Sequence, residues 1–229
     1  MLRRFWSTDR SLTVLLVLLG IFVFTIDPLG DLGVTGQSLM SVFFSLVLIS
    51  GVRAVAKSPL PTVLVGSLVL TNLVARWLRL WLGGGSLAAA DAFFSSLFCG
   101  IMAAVVLAQV FRAGPITSNR IQGAVAVYLL LGLAWAFAYE LIALRWPDAF
   151  VPPPVASTTS NGDLTSHFVY FSFVTLTTVG YGDIVAAHPV ARSLVMLEAL
   201  FGQLFPAILL ARLVSMELYD RRTKEQVQR

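Results

Sequence analysis

The chain has 229 residues, of which 57% are apolar and 12% charged, with a net charge of +4. Soluble domains carry about 25% charged residues, so a water-soluble enzyme is excluded and an integral membrane protein in a lipid bilayer is expected. The 16 basic residues are scattered between apolar runs, which leaves no dense basic face for nucleic acid.

Five charge-free stretches, 11–26, 32–52, 58–75, 92–111 and 121–139, run from 16 to 21 residues, and a sixth, 193–211, is interrupted only by Glu198. About 20 residues cross a hydrocarbon core. None shows the period-two alternation of a barrel strand, so six transmembrane helices are expected. The first is short and flanked by Arg3 and Arg4, but Ile26-Asp27-Pro28 follows in place of a small-residue cleavage site. A retained helix is expected there. Arg76 and Arg79, beside Trp77 and Trp81, sit near the outer end of the third segment and are expected to snorkel to the interface. Asp91 is expected to pair with one of them. A voltage sensor needs several arginines in the fourth helix, and 87–111 holds none. The lone Cys99 excludes an intrachain disulfide framework.

Twelve basic residues fall on one set of termini and linkers, and four (Arg76, Arg79, Arg145 and Arg192) on the other. The positive-inside rule then expects both termini in the cytoplasm and the chain in the cell (plasma) membrane. The linkers 27–31, 53–57, 83–86 and 112–120 are too short for a soluble domain. The outer loop from Arg145 to Arg192 is different. It opens irregularly, through Pro152-Pro153-Pro154 to Asn161-Gly162-Asp163, and turns apolar over 164–179. That run is too short to cross and return. A short helix that enters the membrane and comes back as extended backbone is expected, which lipid tolerates only inside protein or along a water-filled cavity.

The loop ends in Thr177-Thr178-Val179-Gly180-Tyr181-Gly182-Asp183, residue types suited to filtering ions. A bare cation needs fixed oxygens in place of its water shell. Backbone carbonyls serve if consecutive ones face one axis, and Gly180 and Gly182 can take the positive φ this requires. Thr178 adds a hydroxyl oxygen at the inner end. Val179 and Tyr181 then point away, towards Phe168, Tyr170, Phe171 and Phe173. Asp163 or Thr165 can cap the short helix, whose C-terminal end favours a cation.

TTVGYGD resembles the selectivity-filter signature of potassium channels, and the resemblance extends over about 121–216. It implies that Thr178, Val179, Gly180 and Tyr181 coordinate potassium, that Gly182 completes the outer mouth, and that Thr177 and Asp183 support the filter. It also implies a gating hinge at Gly202 and cavity-facing Gln203, Pro206 and Leu210; Pro206, which removes a helix hydrogen bond, is expected to join Gly202 in that hinge. One loop cannot encircle an ion, and four are needed, so a homotetramer is expected. The chain then divides into an N-terminal four-helix region (1–115), a pore domain (116–216) and a short cytoplasmic tail (217–229). No soluble ligand-binding domain is expected in residues 217–229.

Glu198 lies on the face that the resemblance turns towards the short helix. It is either a brace or proton-sensitive element, bonded to Ser172 or Thr175, or a neutral or paired structural carboxyl. Val174 stands where the family has a carboxyl behind the filter. Pro206 marks a hinge or a static bend. His167 and His188 have no second ligand at metal spacing, and Ser160, Asp163 and His167 form no convincing catalytic set. The expectation is an all-α channel, not an enzyme, with potassium as permeant ligand and no cofactor. The alternatives are a non-conducting pore-like binding or signalling subunit, a weakly selective cation channel, and a proton-coupled carrier.

Overall fold

The computed structural model describes residues 2–30, 32–55, 59–111, 118–152 and 162–227. The linker at 112–117 and the proline-rich part of the outer loop at 153–161 lie outside the described residues, as do 56–58 and Asp31. In chain order come α1 (Leu2–Gly30), α2 (Gly33–Val55), α3 (Pro59–Leu82), α4 (Gly85–Val110) and α5 (Ser118–Arg145). A 3-10 turn (Pro147–Ala149), β1 (Phe150–Val151), α6 (Gly162–Leu176), β2 (Val185–Ala186) and α7 (Pro189–Val227) follow. The fold is helical apart from the antiparallel pair β1–β2, which matches Phe150 with Ala186 and Val151 with Val185.

Among the described residues, five helices are long and apolar enough to cross a membrane. Their windows are Leu12–Leu29, Thr35–Val52, Gly85–Val110, Asn119–Arg145 and Pro189–Arg212, which makes this a multi-pass membrane protein. Helix α3, expected as a sixth span, is not among them. Its second half carries Asn72, Arg76 and Arg79. Two boundaries also differ from expectation. Helix α1 continues through Pro28 to Gly30, into the stretch 27–31 expected as a linker. Helix α7 runs unbroken to Val227, so the expected tail begins as a continuation of that helix.

Helices α1, α2, α4 and α5 bury Leu15, Leu19, Phe22, Phe44, Leu48, Phe98, Met102, Leu130 and Phe137 in one core. Phe44 packs tilted on Phe22 at 5.2 Å and edge-on to Phe137 at 5.1 Å. Helix α7 is placed differently. In the α5 window 56% of the residues are buried, and in the α7 window 11%. Met196, Leu200, Phe201, Leu204 and Ile208 face outward from the chain.

The arginines of α3 do not snorkel. Arg76 is 6% exposed, and its guanidinium lies 4.3 Å from the centre of the Phe44 ring. Its Nη2 and Nε reach Asp91 Oδ1 at 3.1 and 3.2 Å. Arg79 Nη1 lies 3.1 Å from both Asp91 Oδ2 and Glu140 Oε1. Asp91 therefore pairs with both arginines. Helices α4 and α5 present acids at this depth, so the guanidinium groups find counter-ions inside the protein. Trp77 and Trp81 are 40% and 84% exposed.

Candidate functional site

Helix α6 presents Phe168 and Phe171 on one face, where they pack with Phe150 on Tyr139. These two rings are thus committed to α5 and β1, whereas packing behind Val179 was expected of them. They lie three positions apart, so they share a helix face. Phe173 lies over Gly132 of α5, so close that a Cβ there would stand 2.6 Å from its Cζ.

The chain leaves α6 in a tight turn that consumes the helix's last carbonyls. Thr177 N–H donates to Phe173 at 3.0 Å and Thr178 N–H to Thr175 at 2.9 Å. Val179 and Gly180 both donate to Val174, at 3.0 and 3.2 Å. Four orphan carbonyls are usual at a helix end. The remaining one, of Leu176, accepts the Tyr128 hydroxyl at 3.0 Å.

Beyond the turn the backbone alternates in handedness, with φ of 62° at Thr178, 56° at Gly180 and 78° at Gly182. Glycine adopts this region freely, whereas threonine is strained in it. Among the described residues, no hydrogen bond is made to the carbonyl oxygens of 178–182. Val179 and Tyr181 are 53% and 72% exposed. The loop is thus tied inward through its amides and leaves its carbonyls open.

Its outer end is held by Asp183. The Tyr170 hydroxyl donates to Asp183 Oδ2 at 2.6 Å, and the Ile184 amide to Oδ1 at 3.1 Å. The Tyr170 bond, chiefly, holds the Asp183 carboxyl below its usual range, and the same bond pushes Tyr170 up to about 12. A depressed carboxylate contributes its bond above the ordinary pKa of about 3.9 and loses it as pH falls through the lower folded value. Neutral pH therefore leaves the contact intact. In Tyr170→Phe, Asp183 is expected to titrate back towards about 3.9, followed by carboxyl-carbon NMR. An unmoved titration would show that Tyr170 is not the main holder.

Glu198 is fully buried on α7. Tyr139 OH donates to its Oε2 at 2.5 Å, and Ser172 Oγ lies 2.5 Å from Oε1 and 2.7 Å from the Gly132 carbonyl. Of the two partners anticipated on α6, Ser172 is the one that bonds; Tyr139 completes the pair. Gly202 sits where α7 crosses the end of α6, and a Cβ there would meet the Leu176 carbonyl oxygen at 2.0 Å. Gln203, Pro206 and Leu210 are exposed along α7. Phe205, beside Pro206, stacks on Tyr128 at 5.9 Å.

The expected caps are not both visible. The Asp163 side chain lies outside the described residues, and Thr165 Oγ1, inside the first turn, donates to Glu140 Oε2 at 2.8 Å. His188 stacks on Trp146 at 4.6 Å. Burial lowers the pKa of His167 against the pull of Asp183 and Asp27. Glu140 is the residue that sequence reasoning missed. It directly follows the fifth charge-free stretch, and its partner Arg79 is 61 residues away.

This half of the chain resembles known proteins. A family model described as "Ion channel" matches residues 126–218, from within α5 through the loop into α7. Protein LctB of Bacillus caldotenax is 30% identical over 128 residues, covering 51% of this chain and 92% of that protein. Protein LctB of Geobacillus stearothermophilus is 26% identical over 125 residues, with 51% and 92% covered. No solved structure matches the chain significantly.

Proposed function

This chain belongs to the ion channel family, and on that premise we propose that it is a potassium-selective channel. Four copies place their 177–183 loops around one axis, and potassium passes down its gradient without a cofactor or a chemical reaction. One observation carries this reading. The amides of Thr177–Gly180 are turned into α6 while the carbonyls of 178–182 stay unclaimed on a backbone of alternating hand. Neutral oxygens of this kind replace a hydration shell without trapping the ion.

Further features agree with it. The apolar, largely unburied α7 offers a long surface for neighbouring subunits. Exposed Val179 and Tyr181 gain packing partners from the same assembly. Gln203 and Leu210 then face the cavity, Gly202 and Pro206 let the inner helix bend, and Thr177, Asp183 and Glu198 support the filter. Residues 1–115 form the four-helix region, 116–216 the pore domain and 217–229 the tail. Helix α3 serves as a sixth span, made tolerable by internal pairing of its arginines, and α6 enters the membrane without crossing it. Both termini face the cytoplasm of a plasma membrane.

Flux of rubidium into liposomes holding the purified chain, with reversal potentials in mixed potassium and sodium, tests this reading. Strong potassium preference is expected, together with its loss in Gly180→Ala, since a side chain opposes the positive φ there. A potassium-to-sodium preference near one overturns the selectivity, and no flux from intact tetramers points to a non-conducting subunit.

A further inference from the structure

Four hydroxyls of α6 each meet a carboxylate, and the four acids come from four different parts of the chain. Two of these contacts, Tyr170 with Asp183 and Ser172 with Glu198, lie within the filter and inner-helix assembly already described. The other two lead away from it. Ser166 Oγ donates to Asp27 Oδ1 of α1 at 2.7 Å. Thr165 Oγ1 donates to Glu140 Oε2 at 2.8 Å, and the other oxygen of Glu140 is held by Arg79 of α3 at 3.1 Å.

We propose that the N-terminal helices set the working position of α6 through these two contacts, Asp27 on Ser166 and the Arg79-held Glu140 on Thr165, and thereby govern whether the filter conducts. The proposal rests on the reading of 177–183 as that filter. Thr165 and Ser166 are successive residues, so their side chains leave the helix about 100° apart. Together they oppose both rotation of α6 and sliding along its axis. Helix α6 is a rigid element of 15 residues, about 22 Å long. At its far end the last carbonyls grip the amides of Thr177–Gly180, so a displacement at Thr165 is delivered to the loop.

Both contacts are charge-assisted if the acids are ionised, and Glu140, which is fully buried, has its counter-ion in Arg79. Arg79 is in turn bonded to Asp91 of α4. A movement of α3 against α4 therefore reaches α6 through one unbroken series of polar bonds. Thr165 and Ser166 act here as positioning residues; neither touches the ion.

Single-channel recording of the full chain in a planar bilayer tests the proposal with Thr165→Val, Ser166→Ala and Thr165→Ser. Thr165→Val and Ser166→Ala are each expected to lower open probability about tenfold, the order lost with one hydrogen bond to a charged group. Conductance and reversal potential of the openings that remain should be those of the wild type. Thr165→Ser keeps the hydroxyl and is expected to open as the wild type does. Unchanged open probability in Thr165→Val and Ser166→Ala overturns the proposal. So does a Thr165→Ser chain as impaired as Thr165→Val, since shape and not the bond would then matter. If Thr165→Val does not assemble, unchanged opening of Ser166→Ala is sufficient to overturn it. A wild-type chain that carries sodium as readily as potassium fails the filter reading and the proposal with it. Normal opening of the variants in a potassium-selective channel fails the proposal alone.

Discussion

Asp91→Ala is expected to destabilise the helical bundle by about 3–5 kcal/mol, the cost of stranding a buried ion without its partner. Asp91 is 3% exposed and accepts from Arg76 and Arg79 together. Its removal affects the two arginines unequally. Arg79 retains Glu140, but among the described residues Arg76 keeps no acid, just the Ser95 hydroxyl at 3.3 Å and the rings of Phe44 and Phe137. The loss is measured as a lowered midpoint in detergent denaturation followed by circular dichroism. The paired change Arg76→Met with Asp91→Leu should recover most of it, because well-packed apolar residues often replace a buried ion pair at little cost. A loss below about 1 kcal/mol would place the pair in the range of solvated surface bridges.

Gly202→Ala has the second large effect expected, and here the cause is steric. The added methyl would stand 2.0 Å from the Leu176 carbonyl oxygen. The obstacle is backbone, so no rotamer relieves it, and either α7 or the end of α6 must shift. Overpacking of this kind costs about 1–3 kcal/mol or more. The displaced atom belongs to the residue immediately before the 177–183 loop, so ion flux should fall at least about tenfold at equal protein, as small misplacements at such sites commonly do. Gly100→Ala is the matched control, since a Cβ on that α4 residue meets nothing within 4 Å. Equal flux from the Gly202→Ala and Gly100→Ala chains would show that α7 yields without disturbing the loop. The resemblance assigns Gly202 to a hinge, and the close approach is a separate demand on the same residue.

Much of the architecture was legible along the chain because lipid imposes a local rule. Long apolar stretches without charge become helices, and five of the six expected spans overlap the five helices long and apolar enough to cross. The exception, α3, shows where the rule weakens. Its polar residues are counted locally but neutralised at a distance. The loop at 177–183 was legible for a related reason, since Gly180 and Gly182 permit the positive φ that they adopt here. Thr178 did not announce it. Its φ of 62° is imposed by the turn that delivers four successive amides to the end of α6.

Only part of the fate of the buried polar groups was legible: Asp91 with an α3 arginine and Ser172 with Glu198 were anticipated, Glu140 and Tyr139 were not. Arg76 and Arg79 beside two tryptophans read as an interfacial pair, and Phe168 and Phe171 read as packing for the filter. By itself the sequence determined the solvent of the fold, the helical segments and the chemical character of one loop. These depend on neighbours within a few residues. Tertiary structure decided the other partners: Glu140 for Arg79, Tyr139 beside Ser172 for Glu198, and the Leu176 carbonyl against Gly202. In a low-dielectric interior an unpaired charge or hydroxyl is costly, so helices settle where such groups meet. That meeting joins residues 26 to 61 positions apart, which no local pattern records.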